Sequence, residues 1–292
     1  MSQIDLQTAG NMTQKEKAER FRELHHSGKM LVLPNIWDPL GALLIENLGY
    51  PAIATASAAV AYANGYNDRE QIPFNDLLTL LKRITQSVNL PVTADIESGY
   101  AKPDSQLQEN IKRLVDSGIV GINIEDTDHN TNTFQSIEAQ CGKIRLIRKA
   151  AEEMGIPIFI NARTDVYLHE TNFPSAEIKL NETIKRGLSY KDAGADGFFP
   201  ITLKSEKDIK EIIAQVKLPL NIITMPGIPD LKTLSRLGVA RVSLGPLLLK
   251  ISIRAMKELA EQLKEYEGLS SITGNEITSD FLKKLVTKNS SV

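Results

Sequence analysis

PVTADIESGYAKPDSQLQENIKRLVDSGIVGINIED, residues 91–126, carries the reading of the whole chain. Its first part, PVTADIES, is a short run of β-formers and small residues behind a proline, and its last part, VGINIED, is another. Between them DSQLQENIKRLVDSG repeats its apolar residues at helical spacing and ends in Gly118, where a helix C-cap wants a left-handed residue. Strand, helix and strand within about 30 residues make a parallel βαβ unit, because only a crossover returns the chain to the same edge.

The pattern extends both ways. A helical lead-in over about 13–27 precedes the strand MLVLPNIW (30–37) and the helix PLGALLIENLG (39–49). AIATASAAVA (52–61) is a second strand, followed by the helix PFNDLLTLLKRITQSV (73–88). Beyond residue 126 come helix 136–155, strand PIFINARTD (157–165), helix 175–194, strand DGFFPI (196–201) and helix 205–216. PLNIITM (219–225), helix 230–238, RVSLGP (241–246) and a long helix over 247–266 complete the series. Gly49, Gly118, Gly155, Gly194 and Gly238 each close a helix just before a strand. Eight strict repeats predict an α/β fold of the closed (β/α)8 barrel type, one domain over 1–292 with a core at about 30–266 and an extension over 267–292. An open doubly wound sheet would want a glycine-rich first turn, and NIWDPLG supplies none. The tail ends in an amphipathic piece, SDFLKKLV, suited to packing on a neighbouring subunit or to a loosely held end.

Composition narrows the function. The 292 residues are 42% hydrophobic and carry a formal net charge of −2, so no basic field points to nucleic acid. No apolar run approaches the roughly 20 residues that span a bilayer. The polar start MSQIDLQTAGNMTQ lacks the apolar core of a secretory signal, and a cytoplasmic location is expected. The lone cysteine, Cys141, excludes an internal disulfide and a thiolate-rich zinc site.

In such a barrel the chemistry collects at the C-terminal ends of the strands. With period two, Thr55 and Ser57 share a face, as do Asp95 and Glu97, then Asn123 and Glu125, then Asn161, Arg163 and Asp165. Barrel interiors are ordinarily filled by branched apolar residues, so this acidic cluster is the informative departure. Buried like charges either raise their pKa values or share a cation. Asp95, Glu97 and Glu125 suit Mg2+ (or Mn2+), which takes oxygen ligands and keeps several waters. A structural salt-bridge network of the same residues with Arg163 is the alternative. Arg163 is a donor fork for a carboxylate or for charge developing on an enolate. The small-residue run Ala56–Ala59 allows a ligand close to backbone N–H groups, and Trp37 stands either at the pocket mouth or in the core. His25 and His26 read as surface residues of the lead-in helix, while His129 and His169 are secondary site candidates.

NIWDPLGALL, TASAAVAYANGYND, TADIESGYA, INIEDT and INARTD, in this order from about residue 30 to 200, resemble the isocitrate lyase/phosphoenolpyruvate mutase superfamily. The resemblance implies a Mg2+-dependent barrel enzyme acting on a small 2-oxo or 2-hydroxy carboxylic acid through a pyruvate-type enolate. It also implies a homotetramer in which the last barrel helix is exchanged between subunits. By motif position Asp95 is the direct metal ligand, and Glu97 and Glu125 hold the metal and its waters. Asp68 is an active-site aspartate, Ser57 and Ala58 bind substrate oxygens through their N–H groups, and Arg163 contacts the substrate. The departures are as specific. Isocitrate and methylisocitrate lyases carry a K-[KR]-C-G-H loop soon after the Glu-Asp pair; here Cys141 falls inside a helical pattern and is expected to be a buried helix residue. The loop DTDHNTNTFQS also lacks the lysine of the mutase and hydrolase branch, leaving Asn130 and Asn132 as stand-ins for its asparagine. Glu97 stands where many relatives have aspartate. C–C cleavage, by decarboxylation or retro-aldol release, is therefore the expected reaction. P–C bond mutase or hydrolase chemistry is the runner-up, and a non-catalytic metabolite-binding barrel is the third reading.

Overall fold

The computed structural model describes residues 12–101, 104–129, 131, 133–169 and 171–287. In chain order its elements are α1 (Gln14–His26), β1 (Leu31–Leu33), β2 (Asn35–Ile36), α2 (Pro39–Asn47), β3 (Ile53–Thr55), α3 (Ser57–Ala63), α4 (Phe74–Ser87), β4 (Val92–Asp95) and α5 (Asp104–Asp116). They continue with β5 (Gly121–Glu125), the hairpin β6 (Thr127–Asp128) and β7 (Thr133–Phe134), α6 (Ile137–Glu153), β8 (Phe159–Thr164), α7 (Ala176–Asp192), β9 (Gly197–Pro200) and α8 (Glu206–Val216). The chain closes with β10 (Asn221–Ile223), α9 (Leu231–Leu237), β11 (Arg241–Ser243), α10 (Leu247–Lys264), α11 (Leu269–Thr273) and α12 (Ser279–Thr287).

The parallel strands run in the order β2-β3-β4-β5-β8-β9 and β1-β11-β10. The two sets join into one barrel. Phe198 donates its N–H to the Pro219 carbonyl at 2.9 Å beside the lead of β10, and β1 and β2 are one pass of chain broken only at Pro34. Proline has no N–H to give the ladder, which accounts for the break. The expected eight-unit (β/α)8 barrel is thus present. The five glycines read as helix caps all take positive φ. At Gly118, with φ +92°, even a methyl group would meet Thr85 Oγ1 at 2.9 Å, so the turn from α5 into β5 is closed to any side chain.

Register sorts the residues. Asp95, Asn123 and Asn161 lie side by side across β4, β5 and β8, and Glu125 pairs with Arg163 one step further. Ala94, Ile122, Ile124, Ile160 and Ala162 alternate with them and face the helices, packing against Leu114, Ile144 and Ile147. Two expectations fail here. The strand over 52–61 stops at Thr55, and Ser57–Ala63 is helical, because alanine is the best helix former and this run has few β-branched residues to hold it extended. His25 is not a surface residue. It lies on the buried face of α1 with Ala18 and Phe21 and stacks on Phe159, ring centroids 4.0 Å apart, at the barrel floor. The tail is tied down by its own chain: Leu285 of α12 is buried in the cluster of Ile36, Ala42 and Leu43. No helix among the described residues is long and apolar enough to cross a membrane.

His25 sets an acid limit on stability. Burial, then the nearby Arg241 guanidinium, hold its pKa down to about 3, so the folded protein keeps it neutral. The unfolded chain binds that proton near pH 6.5. Stability is therefore present above pH 6.5 and is lost as pH falls toward 3, by about 2 kcal/mol at pH 5. The slope of melting temperature between pH 7 and 5 should flatten in His25→Phe; an unchanged slope would remove His25 from the account.

Candidate active site

The mouth of the barrel at the strands' C-terminal ends holds a cavity of about 390 Å3. Ser57, Asp68, Glu97, Glu125, Arg163 and Asp165 line it, joined by Thr127, His129 and His169. Period two on adjacent parallel strands puts Glu125 and Arg163 opposite each other, and the Arg163 Nη1 lies 2.5 Å from Glu125 Oε2. Its Nε and Nη2 donate to the two oxygens of Asp165 at 2.7 and 3.2 Å. Burial works against the guanidinium charge, and Asp165 and Glu125 more than restore it, so Arg163 stays cationic.

A second tier fixes Asp165. Asp126, fully buried, accepts the Asp165 N–H at 2.9 Å. Its other oxygen accepts from Arg186 Nη1 at 3.0 Å and from Tyr190 Oη at 2.7 Å, both on α7. Sequence reading sees the Asp126 position but not this partner pair, since the two halves are 60 residues or more apart.

The acidic side chains divide by partner. Asp95 accepts the Ser57 hydroxyl at 3.0 Å and the Glu97 N–H at 3.5 Å. Glu97, buried after β4, accepts the Glu70 N–H with both oxygens and the Tyr100 hydroxyl at 3.1 Å. Burial, then the charges of Asp68 and Asp95, raise its pKa well above the usual carboxylate range. Glu125 is raised by burial against the pull of Arg163, and Asp68 by burial and by Asp95. The Asp68 Oδ1 is buried with no protein donor among the described residues. His129 enters this acidic nest, its Nε2 2.5 Å from Glu125 Oε1 and 3.5 Å from Glu97 Oε2. Burial opposes the imidazolium, but Glu125 and Glu97 raise its pKa above the ordinary value.

Other candidates fall elsewhere. Thr55 is buried under the site and its hydroxyl takes the Asp95 N–H at 3.3 Å. Asn161 donates to Asn123 Oδ1 at 2.9 Å in the barrel interior, below the cavity. Trp37 is half-buried and packs against Ala56, Ala59 and Leu249. Ala58 is the second residue of α3. Cys141 is buried in α6, as expected. Asn130 and Asn132 lie outside the described residues. The trio Asp95, Glu97 and Glu125 is not assembled as expected. Among the described residues no three acidic, histidine or cysteine side chains converge as metal ligands, since Glu97 is turned to Glu70 and Tyr100 and Glu125 to Arg163 and His129. What the donor set fits is a hard cation held by one or two carboxylates and water. Asp68 offers an oxygen that has no donor among the described residues, and Asp95 offers oxygens met by a hydroxyl and a backbone N–H.

Sequence reading undervalued His129 and His169 and missed Glu70, Thr127, Arg186 and Tyr190. His129, His169, Glu70 and Thr127 lie on the hairpin and loops about the mouth, and Arg186 and Tyr190 on the buried face of α7 behind it, so strand periodicity encodes none of them.

A barrel with a charged cavity at the C-terminal ends of its strands, acidic on one side and arginine-bearing on the other, defines a (β/α)8-barrel enzyme. The chain belongs to the phosphoenolpyruvate phosphomutase family, whose family model matches residues 21–264, within the isocitrate lyase/phosphoenolpyruvate mutase superfamily of lyases and mutases. It is 36% identical to a solved structure from Burkholderia cenocepacia J2315, provisionally assigned as a phosphonomutase, covering 85% of this chain and all of that one with a TM-score of 0.80. It is 29% identical over 228 residues to the oxaloacetate decarboxylase of Pseudomonas entomophila (strain L48), covering 75% of each chain. It is 28% identical over 215 residues to a 2-methylisocitrate lyase of Halalkalibacterium halodurans, covering 71% of this chain and 67% of the relative.

Proposed function

We propose that the protein is a Mg2+-dependent lyase, with Mn2+ as a substitute ion, that breaks a C–C bond of a small 2-oxo or 2-hydroxy acid through a pyruvate-type enolate. The observation that carries this reading is Arg163, gripped by Glu125 and Asp165 yet facing a cavity lined opposite by Asp68 and Ser57. Asp95 would be the direct ligand of the ion, with Asp68 and Glu125 toward its waters. Bound there, the ion would supply Lewis-acid stabilisation of the charge that develops on the carbonyl oxygen. Arg163 donates to the substrate carboxylate or to the enolate oxygen. Ser57 and Ala58, first in α3, offer N–H groups to the remaining oxygens. For a 2-oxo acid the C3–C4 bond breaks, its electron pair becomes the pyruvate enolate, and a proton returned to C3 completes pyruvate. For a 2-hydroxy acid the C2–C3 bond breaks, the 2-hydroxyl gives up its proton as C2 becomes the carbonyl of the released 2-oxo acid, and the electron pair and a returned proton go to the other fragment. His129 is the group on this loop able to deliver that proton. Relatives named for oxaloacetate decarboxylation and 2-methylisocitrate cleavage support the two versions of the chemistry.

Pyruvate release, assayed with Mg2+ and again with EDTA, tests the reading on oxaloacetate, 2-methylisocitrate, 2-alkylmalates and 4-hydroxy-2-oxo acids. Metal-dependent pyruvate from one of them is expected, and Asp95→Asn should lower it at least ~100-fold together with Mg2+ affinity. Phosphonopyruvate belongs in the same panel, because the phosphonomutase-like relative supports P–C bond chemistry as a second reading. Turnover of phosphonopyruvate alone would replace the first reading with the second. An Asp95→Asn protein that binds Mg2+ and turns over like the parent would end both.

The resemblance further supports a homotetramer with exchanged last helices. Ile251, Ile253, Met256 and Leu263 of α10 and Leu269 beyond it are exposed in the single chain, an apolar surface that a second copy would cover. Light scattering should give a mass above that of one chain, and Met256→Lys should shift it toward the monomer.

A further inference from the structure

We propose that Glu97 and Glu70 form a reciprocal clamp that sets Asp68 in the site, which makes Glu70 a positioning residue and Glu97 a clamp rather than a metal ligand. The inference rests on the function proposed above only for the consequence on turnover.

Glu97 accepts the Glu70 N–H with both carboxylate oxygens, each at 3.0 Å. Glu70 answers with its own side chain: one oxygen accepts the Ser98 N–H at 3.0 Å, the Ser98 hydroxyl at 2.6 Å and the Tyr100 N–H at 3.0 Å. Each carboxylate is therefore bound through the backbone at or next to the other. The Tyr100 hydroxyl adds a further donor, on Glu97 at 3.1 Å. Two loops from different strands, the one after α3 and the one after β4, are sewn together at this point.

The backbone explains why such a clamp is needed. Arg69, Glu70, Glu97 and Tyr100 all carry positive φ, between 53° and 72°, where a side chain is unfavourable. Such conformations persist when the surroundings over-determine them. These four residues flank or carry the one pair of carboxylates, whose hydrogen bonds hold the backbone there in place. Asp68 stands two residues before Glu70, so the geometry that fixes Glu70 also fixes where Asp68 enters the cavity.

Side-chain length follows from this. Aspartate in place of Glu97 is one methylene shorter and falls short of the Glu70 N–H. A carboxylate that holds a divalent ion or its waters acts chiefly through its charge, and a clamp needs reach and an acceptor. The Glu97→Asp variant would keep the first and lose the second; Glu97→Gln would do the reverse.

Amide hydrogen exchange of residues 64–72, Mg2+ titration calorimetry, and kcat and KM for the pyruvate-releasing substrate should be measured on E97D, E97Q and E70A. The clamp predicts exchange over 68–72 faster by at least ~10-fold in E97D and E70A, with kcat lowered more than KM is raised. E97Q should keep most of the protection and lose less activity than E97D. The idea is overturned if E97D keeps slow exchange while E97Q loses Mg2+ affinity, since charge would then be the property required. It is equally overturned if E70A leaves exchange unchanged. Exchange needs no turnover: a parent that releases no pyruvate but shows these exchange differences would sink the proposed function and leave the clamp standing. If E97D fails to fold, E70A and E97Q still decide between reach and charge.

Discussion

Arg163→Ala is expected to abolish turnover and to weaken the fold at the same time. The guanidinium is the shared partner of Glu125 and Asp165, and removing it leaves two buried carboxylates facing each other. Breaking a buried pair by deleting one member typically costs about 3–5 kcal/mol, because the surviving charge has lost its compensation. In this site Glu125 can protonate. Burial already raises the pKa of Glu125, and loss of Arg163, the strongest force lowering it, would raise it further. The protein should therefore survive with a lower melting temperature and a neutral Glu125. Turnover has no such escape, since among the described residues the cavity's other arginine, Arg69, comes from the loop after α3 and not from β8. Removal of one donor aimed at a developing oxyanion costs about 10²–10³ in kcat. With the positioning of Glu125 lost as well, kcat is expected to fall by about 10³ or more. Arg163→Lys should recover stability better than rate, because an ammonium restores charge but not the fork that Asp165 reads through two nitrogens. Steady-state kinetics and thermal melts of both variants check this; a lysine variant as fast as the parent would show that charge alone is needed.

How far the sequence led depends on what kind of contact a residue makes. The barrel was legible because its evidence is local: alternation inside each strand, helical spacing inside each helix, and a glycine at the junction. The acidic and arginine positions on β4, β5 and β8 were legible for the same reason, since period two and parallel register together put Glu125 opposite Arg163. Ser57 shows the limit of a period argument. It is two residues after Thr55, but the chain turns helical between them, and its hydroxyl reaches Asp95 from the start of α3. His25 was misread although its signal was present, for Ala18, Phe21 and His25 lie on one helical face. Glu97 was readable as acidic and near the site, but what its oxygens do depends on a loop 27 residues earlier. Arg241 is the hidden case. At the start of β11 it is wholly buried in the barrel, where burial pulls its pKa down to about 10, and nothing in RVSLGP announces an inward arginine.

The second large effect is expected behind the site, at a residue that touches neither cavity nor substrate. Arg186→Met should be among the most destabilising single changes in the chain. Arg186 bonds Asp126 at 3.0 Å and Glu182 at 2.8 Å, and its guanidinium lies 4.0 Å from the Phe134 ring centroid. Methionine keeps the packing and the ring contact but deletes the charge, leaving Asp126, with no exposed surface, to the neutral Tyr190 hydroxyl and Asp165 N–H donors. The expected cost is about 3–5 kcal/mol. At ~2–4 °C per kcal/mol for a chain of this size, the melting temperature should drop by roughly 10 °C. A second substitution separates the charge from the shape. Asp126→Asn removes the uncompensated carboxylate while keeping an acceptor for the Asp165 N–H, so the double variant should be more stable than the sum of the single losses implies, by about 1–3 kcal/mol. Additive losses would mean that Arg186 and Asp126 stabilise the barrel separately and that their contact is incidental. If instead the coupling appears and the double variant also regains rate, the line from Arg186 through Asp126 to Asp165 and Arg163 is what holds the Arg163 guanidinium in register.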